Sequence, residues 1–340
     1  MNRSSDRPDP TGYAPDKRAR RRLATLALST AIATYCLVVL GSTVRVTHSG
    51  MGCPGWPLCH GQIGPIDHFH ALMEQSHRYL VVVVTILVVA TAIAARRYRA
   101  SRALAVPALA AAALIPVQIV LGAITVWTHN APVTVALHLL MAIALLGLVT
   151  SAAAVAAARP PLAASPGPAR RSGEWLGWSA AAAVFLVFVS GSLVVNGGAA
   201  KAWPVWPFGS FGHAPLGLVA LQMAHRSMAL VAGIAVAALV LQALRSRPCA
   251  PGARVVAWLL AALFAAQVAA GALVAVLRAP EALEDLHLAL GAAIWCAVVV
   301  LATLTRRTGI YTITPAEEPG DHPEGTGTSG DAEGALAAGK

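Results

Sequence analysis

Long apolar runs separated by short polar segments cover most of this chain. A hydrocarbon core about 30 Å thick needs roughly 20 apolar residues per helix, and eight runs reach that length. They are residues 23–43, 72–95, 103–126, 133–156, 175–195, 216–243, 254–277 and 283–305. The pattern therefore predicts an all-α membrane protein with eight transmembrane helices.

The composition points the same way. Of the 340 residues, 57% are hydrophobic and only 12% are charged, and the mean hydropathy is +0.65, which excludes an ordinary soluble globular chain. A formal net charge of +10 would suggest nucleic acid as the partner of a soluble protein. Here the Lys and Arg residues cluster at alternate helix ends, as the positive-inside rule requires, so we expect membrane lipid and no nucleic acid.

The basic clusters also predict the orientation of the helices. They lie at residues 17–22, 96–102, 158–171, 245–254 and 306–307, whereas 44–71, 127–132, 196–215 and 278–282 carry few basic residues. This alternation places both termini in the cytoplasm. We expect a multi-pass protein of the bacterial plasma membrane, with the first helix retained because no clear signal-peptide cleavage site follows it.

An internal repeat divides the chain into two halves. "VLGSTVRV" (39–46) matches "VSGSLVVN" (189–196), and "SHRYLVVV" (76–83) matches "AHRSMALV" (224–231), at an offset of about 149 residues. Four helices separate each pair of equivalents, and this even number gives both halves the same orientation. The repeat predicts two tandem four-helix bundles related by a pseudo-two-fold axis along the membrane normal.

The repeat and the polar segments together predict the domain boundaries. Residues 23–156 form the N-terminal half and residues 175–307 the C-terminal half. Residues 157–174 form a cytoplasmic linker, and the polar ends, residues 1–22 and 308–340, are expected to be disordered cytoplasmic segments.

The repeat carries one histidine pair per half, His77 with His138 in the first and His225 with His287 in the second. A lone His in a membrane helix is more often a packed, hydrogen-bonded residue, but four at repeated positions favour a site. Two His on facing helices of a bundle can bind a haem iron from both sides. Zinc needs three or four protein ligands, so the pattern favours haem.

Only the first half carries an ionisable group three residues before the first histidine of its pair. Glu74 lies three residues before His77, and on a helix the two share a face, whereas the equivalent position in the second half holds the uncharged Gln222. The residues alone leave two interpretations of Glu74 open. It is either a catalytic carboxylate or an interface carboxylate that is solvated or paired with Arg78.

In each half, one arginine directly follows the first histidine of the pair. The guanidinium groups of Arg78 and Arg226 could neutralise haem propionates or extend to the lipid headgroups, and the sequence does not decide between the two.

The first outer loop holds a cysteine pair, Cys53 and Cys59, separated by a Pro-Gly-Trp-Pro segment. On the oxidising side of a membrane, this favours a disulfide. Free thiols or a metal site with His48 or His60 are weaker interpretations, because the spacing is of no recognised metal-binding type.

Together, these features resemble the haem A synthase family over nearly all of residues 25–305. The resemblance implies that the first half holds haem O, faced by His77 and His138 beside an essential Glu74. It also implies that the second half binds haem b, with His225 and His287 as axial ligands of the iron. The implied reaction oxidises the methyl group at position 8 of haem O to a formyl group, through an alcohol and a hydrated aldehyde that loses water.

The same resemblance implies a role in terminal oxidase biogenesis. The implied partners are haem O synthase, cytochrome oxidase assembly factors, an electron carrier such as a quinone, and further copies of the chain. Two other functions compete with this one. A di-haem b cytochrome for quinol electron transfer explains four His but not a Glu in one half only, and a parallel-repeat transporter would place polar groups at mid-membrane.

Overall fold

The computed structural model of the chain describes residues 17–63, 68–98, 100–158, 169–207, 209–210, 212–246 and 252–308. Over these residues it is all-helical, with one isolated bridge between Cys59 and Gln62. The helices are α1 (Lys17–Val46), α2 (Phe69–Arg97), α3 (Arg102–Trp127), α4 (Pro132–Ala157), α5 (Ala169–Asn196), α6 (Leu216–Arg245), α7 (Ala253–Val276) and α8 (Glu281–Thr308). All eight are long and apolar enough to cross a membrane, which confirms the predicted fold class.

The helices extend beyond the apolar runs at several ends. α1 begins at Lys17, inside the segment 1–22 that we expected to precede the first bundle, and α5 begins at Ala169, inside the expected linker. The basic residues in these segments therefore continue the helices rather than end them. The expectation of disorder for residues 1–16 and 309–340 falls outside the described residues.

The four odd-numbered helices end in the same way. Just beyond the last turn of each of these helices, a residue adopts a positive φ. These residues are His48 (53°), His129 (53°), Gly198 (71°) and Arg278 (59°). In each case the N–H of the next residue donates to the carbonyl five positions back, at 2.7–2.9 Å. This closure satisfies carbonyls that a helix end would leave unpaired. It brings the chain round to begin α2, α4, α6 and α8 at one end of the bundle, which we call the loop end.

Each set of four helices packs as a ring. α1 contacts α2 and α4, while α3 contacts α2 and α4. In the same way α5 contacts α6 and α8, while α7 contacts α6 and α8. Between the rings, α4 contacts α8 and α5, and α1 contacts α8. A two-fold axis would exchange these contacts with one another; the axis and the division into two domains stay predictions.

The centre of the molecule lies where the two rings meet. About 61% of the most apolar stretch of α4 and 56% of that of α8 are buried, against 11–33% in the other six helices. Trp295 of α8 packs on Gly147 of α4, where an added Cβ would lie 2.8 Å from the indole, and its Nε1 donates to the Ile143 carbonyl at 2.9 Å. These contacts fix α8 against α4.

At the loop end, polar contacts join α1 to α8. Arg45 pairs with Glu284 at 3.0 Å, and the Thr43 hydroxyl donates to Asp285 at 2.7 Å. Because α1 belongs to the first ring and α8 carries His287 of the second, these bonds hold the histidine-bearing ends of the two rings side by side.

Candidate functional site

The histidines of the first ring both face a glycine on the preceding helix. A Cβ added at Gly41 of α1 would lie 3.2 Å from Nε2 of His77 on α2, and one added at Gly122 of α3 would lie 3.2 Å from Cε1 of His138 on α4. Each imidazole therefore lies directly against helix backbone, in space that only glycine leaves open.

The second ring repeats this arrangement. A Cβ at Gly191 of α5 would lie 3.1 Å from Cε1 of His225 on α6, and one at Gly271 of α7 would lie 2.9 Å from Cε1 of His287 on α8. The same residue pairing thus occurs four times, with the histidine in the second or third turn of each even-numbered helix.

Within each ring the two histidines lie close enough to interact electrostatically, His77 with His138 and His225 with His287. All four side chains are half-buried. Among the described residues, no three His, Cys, Asp or Glu side chains group as they would around a metal ion. What the structure brings together is a pair of imidazoles in each ring, as the sequence predicts.

The two pairs differ in their hydrogen bonds. In the second ring, Ser190 Oγ lies 3.0 Å from Nδ1 of His225, and Gln267 Nε2 lies 3.3 Å from Nε2 of His287. In the first ring, Gln118 donates to the backbone carbonyl of His138 rather than to its ring, at 3.0 Å. The imidazoles of the second ring are the more firmly oriented.

The site residues fit a haem. A flat porphyrin with a central iron needs axial nitrogen ligands and close approach to helix backbone, and each ring offers two imidazoles and two glycine surfaces. The Nδ1 atoms of His138 and His287 are buried without a partner among the described residues. A polar atom in that state indicates that the ring is arranged for a purpose other than packing.

The Glu74 carboxylate is buried, with 5% of the residue exposed, and it contacts both its own helix and the loop. Its Oε1 accepts from Arg78 at 2.6 Å, and its Oε2 accepts from the N–H of Cys53 at 2.8 Å. Glu74 is thus paired with Arg78, and the pair is buried rather than solvated. This contact fits both interpretations left open by the sequence, so the role of the carboxylate stays a prediction.

Arg78 also holds the loop itself. Its guanidinium donates to the carbonyls of Cys53 (3.0 Å), Gly55 (2.8 Å), Pro57 (3.2 Å) and Leu58 (3.2 Å). These contacts are to protein, so the two roles expected for this side chain, toward propionates or headgroups, stay predictions. The sequence did not predict this contact set, because it depends on how the loop folds back over α2.

Cys53 and Cys59 form a disulfide, with 4.6 Å between their Cα atoms, which confirms the predicted bond. Both half-cystines are fully buried. The disulfide closes the loop segment whose carbonyls Arg78 binds and whose first N–H binds Glu74, so it restrains the surroundings of the carboxylate.

Alkylation will check the disulfide in the protein itself. In detergent and without reductant we expect no label on Cys53 or Cys59, and one label on each after reduction. The labelling is done in SDS, so that Cys36, a free thiol within the α1 span, reacts in both conditions and serves as the positive control. Labelling of Cys53 and Cys59 before reduction would show free thiols instead.

In the second ring, Gln222 and Arg226 stand at the positions of Glu74 and Arg78. Arg226 donates hydrogen bonds as Arg78 does, but the contact of Gln222 with the loop is reversed. Arg226 donates to Gln222 Oε1 at 2.9 Å and to the Pro207 carbonyl at 2.9 Å, and its guanidinium lies 4.7 Å from the centre of the Trp203 ring. Gln222 Nε2 donates to the Ala199 carbonyl at 2.5 Å. Where Glu74 accepts from a backbone N–H, Gln222 donates to a backbone carbonyl, so each side chain matches its own loop.

The sequence analysis did not identify Ser190, Gly41 or Gly191 as residues that contact a histidine. A signal for Ser190 is present in the repeat, because "VLGS" of the first half aligns with "VSGS" of the second. Nothing in the sequence shows that this serine faces an imidazole, since that depends on how α5 and α6 are rotated against each other.

Comparison with known proteins adds an independent line of evidence. A family model described as cytochrome oxidase assembly protein matches residues 24–76 and 67–299. Haem A synthase of Symbiobacterium thermophilum is 31% identical over 305 residues, which cover 86% of this chain and 98% of that protein. Haem A synthase of Geobacillus thermodenitrificans is 35% identical over 100 residues, 29% of this chain and 31% of that protein.

The chain also resembles part of a longer kind of protein. Protoheme IX farnesyltransferase of Halobacterium salinarum is 33% identical over 125 residues, which are 37% of this chain. The match covers only 22–27% of the length of this and three other farnesyltransferases, so it concerns a segment of those proteins and not the whole.

Proposed function

The chain belongs to the haem A synthase family of cytochrome oxidase assembly proteins, and on that premise we propose that it oxidises the position-8 methyl group of haem O to a formyl group. The observation that carries the proposal is the buried carboxylate of Glu74, which lies beside the histidine pair and is present at this position in one ring only. Glu74 can take up or release a proton during a reaction, whereas Gln222 at the equivalent position of the other ring cannot.

The reaction removes four electrons from one carbon. The methyl group becomes an alcohol, the alcohol becomes a hydrated aldehyde, and loss of water leaves the formyl group. With water as the source of each oxygen atom, each of the two oxidations releases two electrons and two protons, and a quinone or another carrier takes up the electrons. The product serves assembly of a terminal oxidase, so haem O synthase and oxidase assembly factors are the proposed partners.

His77 and His138 would hold haem O in the first ring, and His225 and His287 would hold haem b in the second. Haem b, when bound, supplies one-electron redox chemistry. The protein's own contribution is orientation: the glycines let the porphyrin and imidazoles approach the backbone, and the hydrogen bond between Ser190 and Nδ1 fixes the ring of His225. This division suits a retained cofactor in one ring and a substrate that must enter and leave the other.

Glu74 is the proposed catalytic residue. Two donors, the Cys53 N–H and the Arg78 guanidinium, hold its oxygens in place, and a positioned carboxylate can take up or release a proton or stabilise a developing positive charge. Arg78 ties the same carboxylate to the disulfide-closed loop. The loop end would face the outside of the bacterial plasma membrane, with both termini in the cytoplasm.

The function can be tested in cells that supply haem O. Membranes from cells co-expressing the chain with a haem O source should yield haem A or its hydroxylated precursor, identified by mass spectrometry of extracted pigments. Cells with the haem O source alone are the control. Unchanged haem O in both would contradict the proposal and would favour a di-haem cytochrome that transfers electrons without modifying porphyrin.

A glycine beside a ligand provides a further prediction. Gly271→Ala would bring a Cβ to 2.9 Å from Cε1 of His287, so the imidazole must shift, and we expect haem b affinity to fall by about tenfold or more. The control is Gly217→Ala in α6, where an added Cβ meets no atom within 4 Å. Haem b content per protein, measured by optical spectroscopy, should fall in the first variant only; equal content in both would contradict the prediction.

A further inference from the structure

We infer that Ser190 is a positioning residue that holds the His225 imidazole with its proton on Nδ1 and with Nε2 free to bind iron. The inference rests on the proposed function, in which His225 is an axial ligand of haem b. It concerns a residue of α5 that does not itself touch the iron, and it explains why the two histidine pairs are not equivalent.

The hydrogen bonds around Ser190 determine where the protons lie. Its Oγ is 3.0 Å from the Val187 carbonyl and 3.0 Å from Nδ1 of His225. A carbonyl only accepts, and we assign the single hydroxyl hydrogen of Ser190 to Val187. With that assignment the hydroxyl oxygen accepts from His225, and Nδ1 carries the proton.

The other ring nitrogen, Nε2, then carries the lone pair that can bind iron. In a neutral imidazole one nitrogen is a donor and the other an acceptor, so a proton on Nδ1 leaves Nε2 unprotonated. The neighbouring glycine supports this orientation, because a Cβ at Gly191 would lie 3.1 Å from Cε1 and 3.9 Å from Nε2. Ser190 and Gly191 thus contact the Nδ1 side of the ring, and Nε2 is the less crowded nitrogen.

The first ring has no serine hydroxyl at the equivalent position. The residue equivalent to Ser190 is Leu40, whose side chain cannot bond to an imidazole, and no hydrogen bond to the His77 ring occurs among the described residues. A ligand that must bind one haem permanently benefits from a fixed tautomer and orientation. A side chain that faces a substrate in transit does not need them.

A hydrogen bond to the non-ligating nitrogen has known consequences for a metal-bound imidazole. It orients the ring and raises the basicity of the ligating nitrogen, and its loss typically costs about 10- to 100-fold in metal affinity. A more basic ligand favours ferric over ferrous iron. If Ser190 acts in this way, its removal weakens haem b binding and raises the reduction potential.

The test uses the full-length protein purified in detergent with its haem b, in three variants beside the parent. Ser190→Ala removes the hydroxyl, Ser190→Thr keeps it, and Leu40→Ser adds one at the equivalent place in the other ring. The measurements are transfer of haem b to an excess of a haem-free globin and the midpoint potential by optical titration. His225→Ala serves as the reference: only the haem b that is present in the parent and absent from this variant is attributed to the His225 site.

We expect Ser190→Ala to lose haem b at least about tenfold more readily and to show a higher potential. A tenfold larger loss of ferric than of ferrous affinity corresponds to about 59 mV for one electron. Ser190→Thr should restore both properties toward the parent, and Leu40→Ser should leave the potential of this haem unchanged.

Three results would overturn the inference, and they are distinct. If haem b depends on His225 but Ser190→Ala matches the parent in retention and potential, Ser190 does not position the ligand. If haem b content is the same in His225→Ala and the parent, the assignment of His225 itself fails, and with it the proposed function of the second ring. A loss of haem with no shift in potential and no rescue by Thr would indicate a packing role and would also contradict the inference.

Discussion

Replacing Glu74 with Gln is expected to lower the rate of haem A formation by a factor of about 10² to 10⁴, the usual cost of losing one positioned acid–base or electrostatic group. Haem O or the hydroxylated intermediate should accumulate in its place. The measurement is the ratio of these pigments by mass spectrometry after co-expression with a haem O source. Haem b in the second ring should remain at the parental level.

The contacts of Glu74 sharpen this expectation. Both of its oxygens accept hydrogen bonds, one from Arg78 and one from the Cys53 N–H, and an amide has only one accepting atom. In Glu74→Gln one of the two donors must face an NH2 group. The variant therefore loses the ionisable group and loosens the loop contact as well.

Gln222→Glu is the matched control in the other ring. Gln222 donates to the Ala199 carbonyl, so a carboxylate there would face an acceptor and disturb the loop mildly. It should not create a second oxidising site, because the proposed role of the haem in that ring is only to relay electrons. Haem A formation at close to the parental rate in Glu74→Gln would show that the carboxylate is an interface residue and would end the catalytic assignment.

Replacing His225 or His287 with Ala is expected to abolish the tightly bound b-type spectrum. Each substitution removes an iron ligand but keeps the helix apolar, so membrane insertion should be unaffected. Reduced-minus-oxidised spectra, scaled to protein in the membrane, measure the loss. The control is His213→Ala, which removes an exposed loop histidine and should leave the spectrum unchanged. Normal haem b in both variants would contradict the assignment of the ligands.

The sequence predicted the helices and the histidine pairs because their signals are local or repeated. Apolar runs of sufficient length define the spans, and an offset shared by four histidines marks them as more than packing residues. The disulfide was predictable from the spacing and position of Cys53 and Cys59, and the structure confirms it.

The contacts around these residues could not be predicted in the same way. The i,i+4 spacing of Glu74 and Arg78 permits an ion pair on any helix, but whether the pair is solvated or buried depends on the loop that folds over it. The pairing of Ser190 with His225 depends on the rotation of α5 against α6, and a serine beside a glycine in a membrane helix is equally typical of close packing. Tertiary arrangement, not local pattern, decides both.

The haem content of each ring tests the central claim most directly. Pigments are extracted from two double variants, His77→Ala with His138→Ala and His225→Ala with His287→Ala, both co-expressed with a haem O source. We expect the first variant to keep haem b and to bind neither haem O nor haem A. The second variant should lose haem b and still bind haem O. Loss of the same pigment from both variants would contradict the division of the molecule into a substrate ring and a cofactor ring.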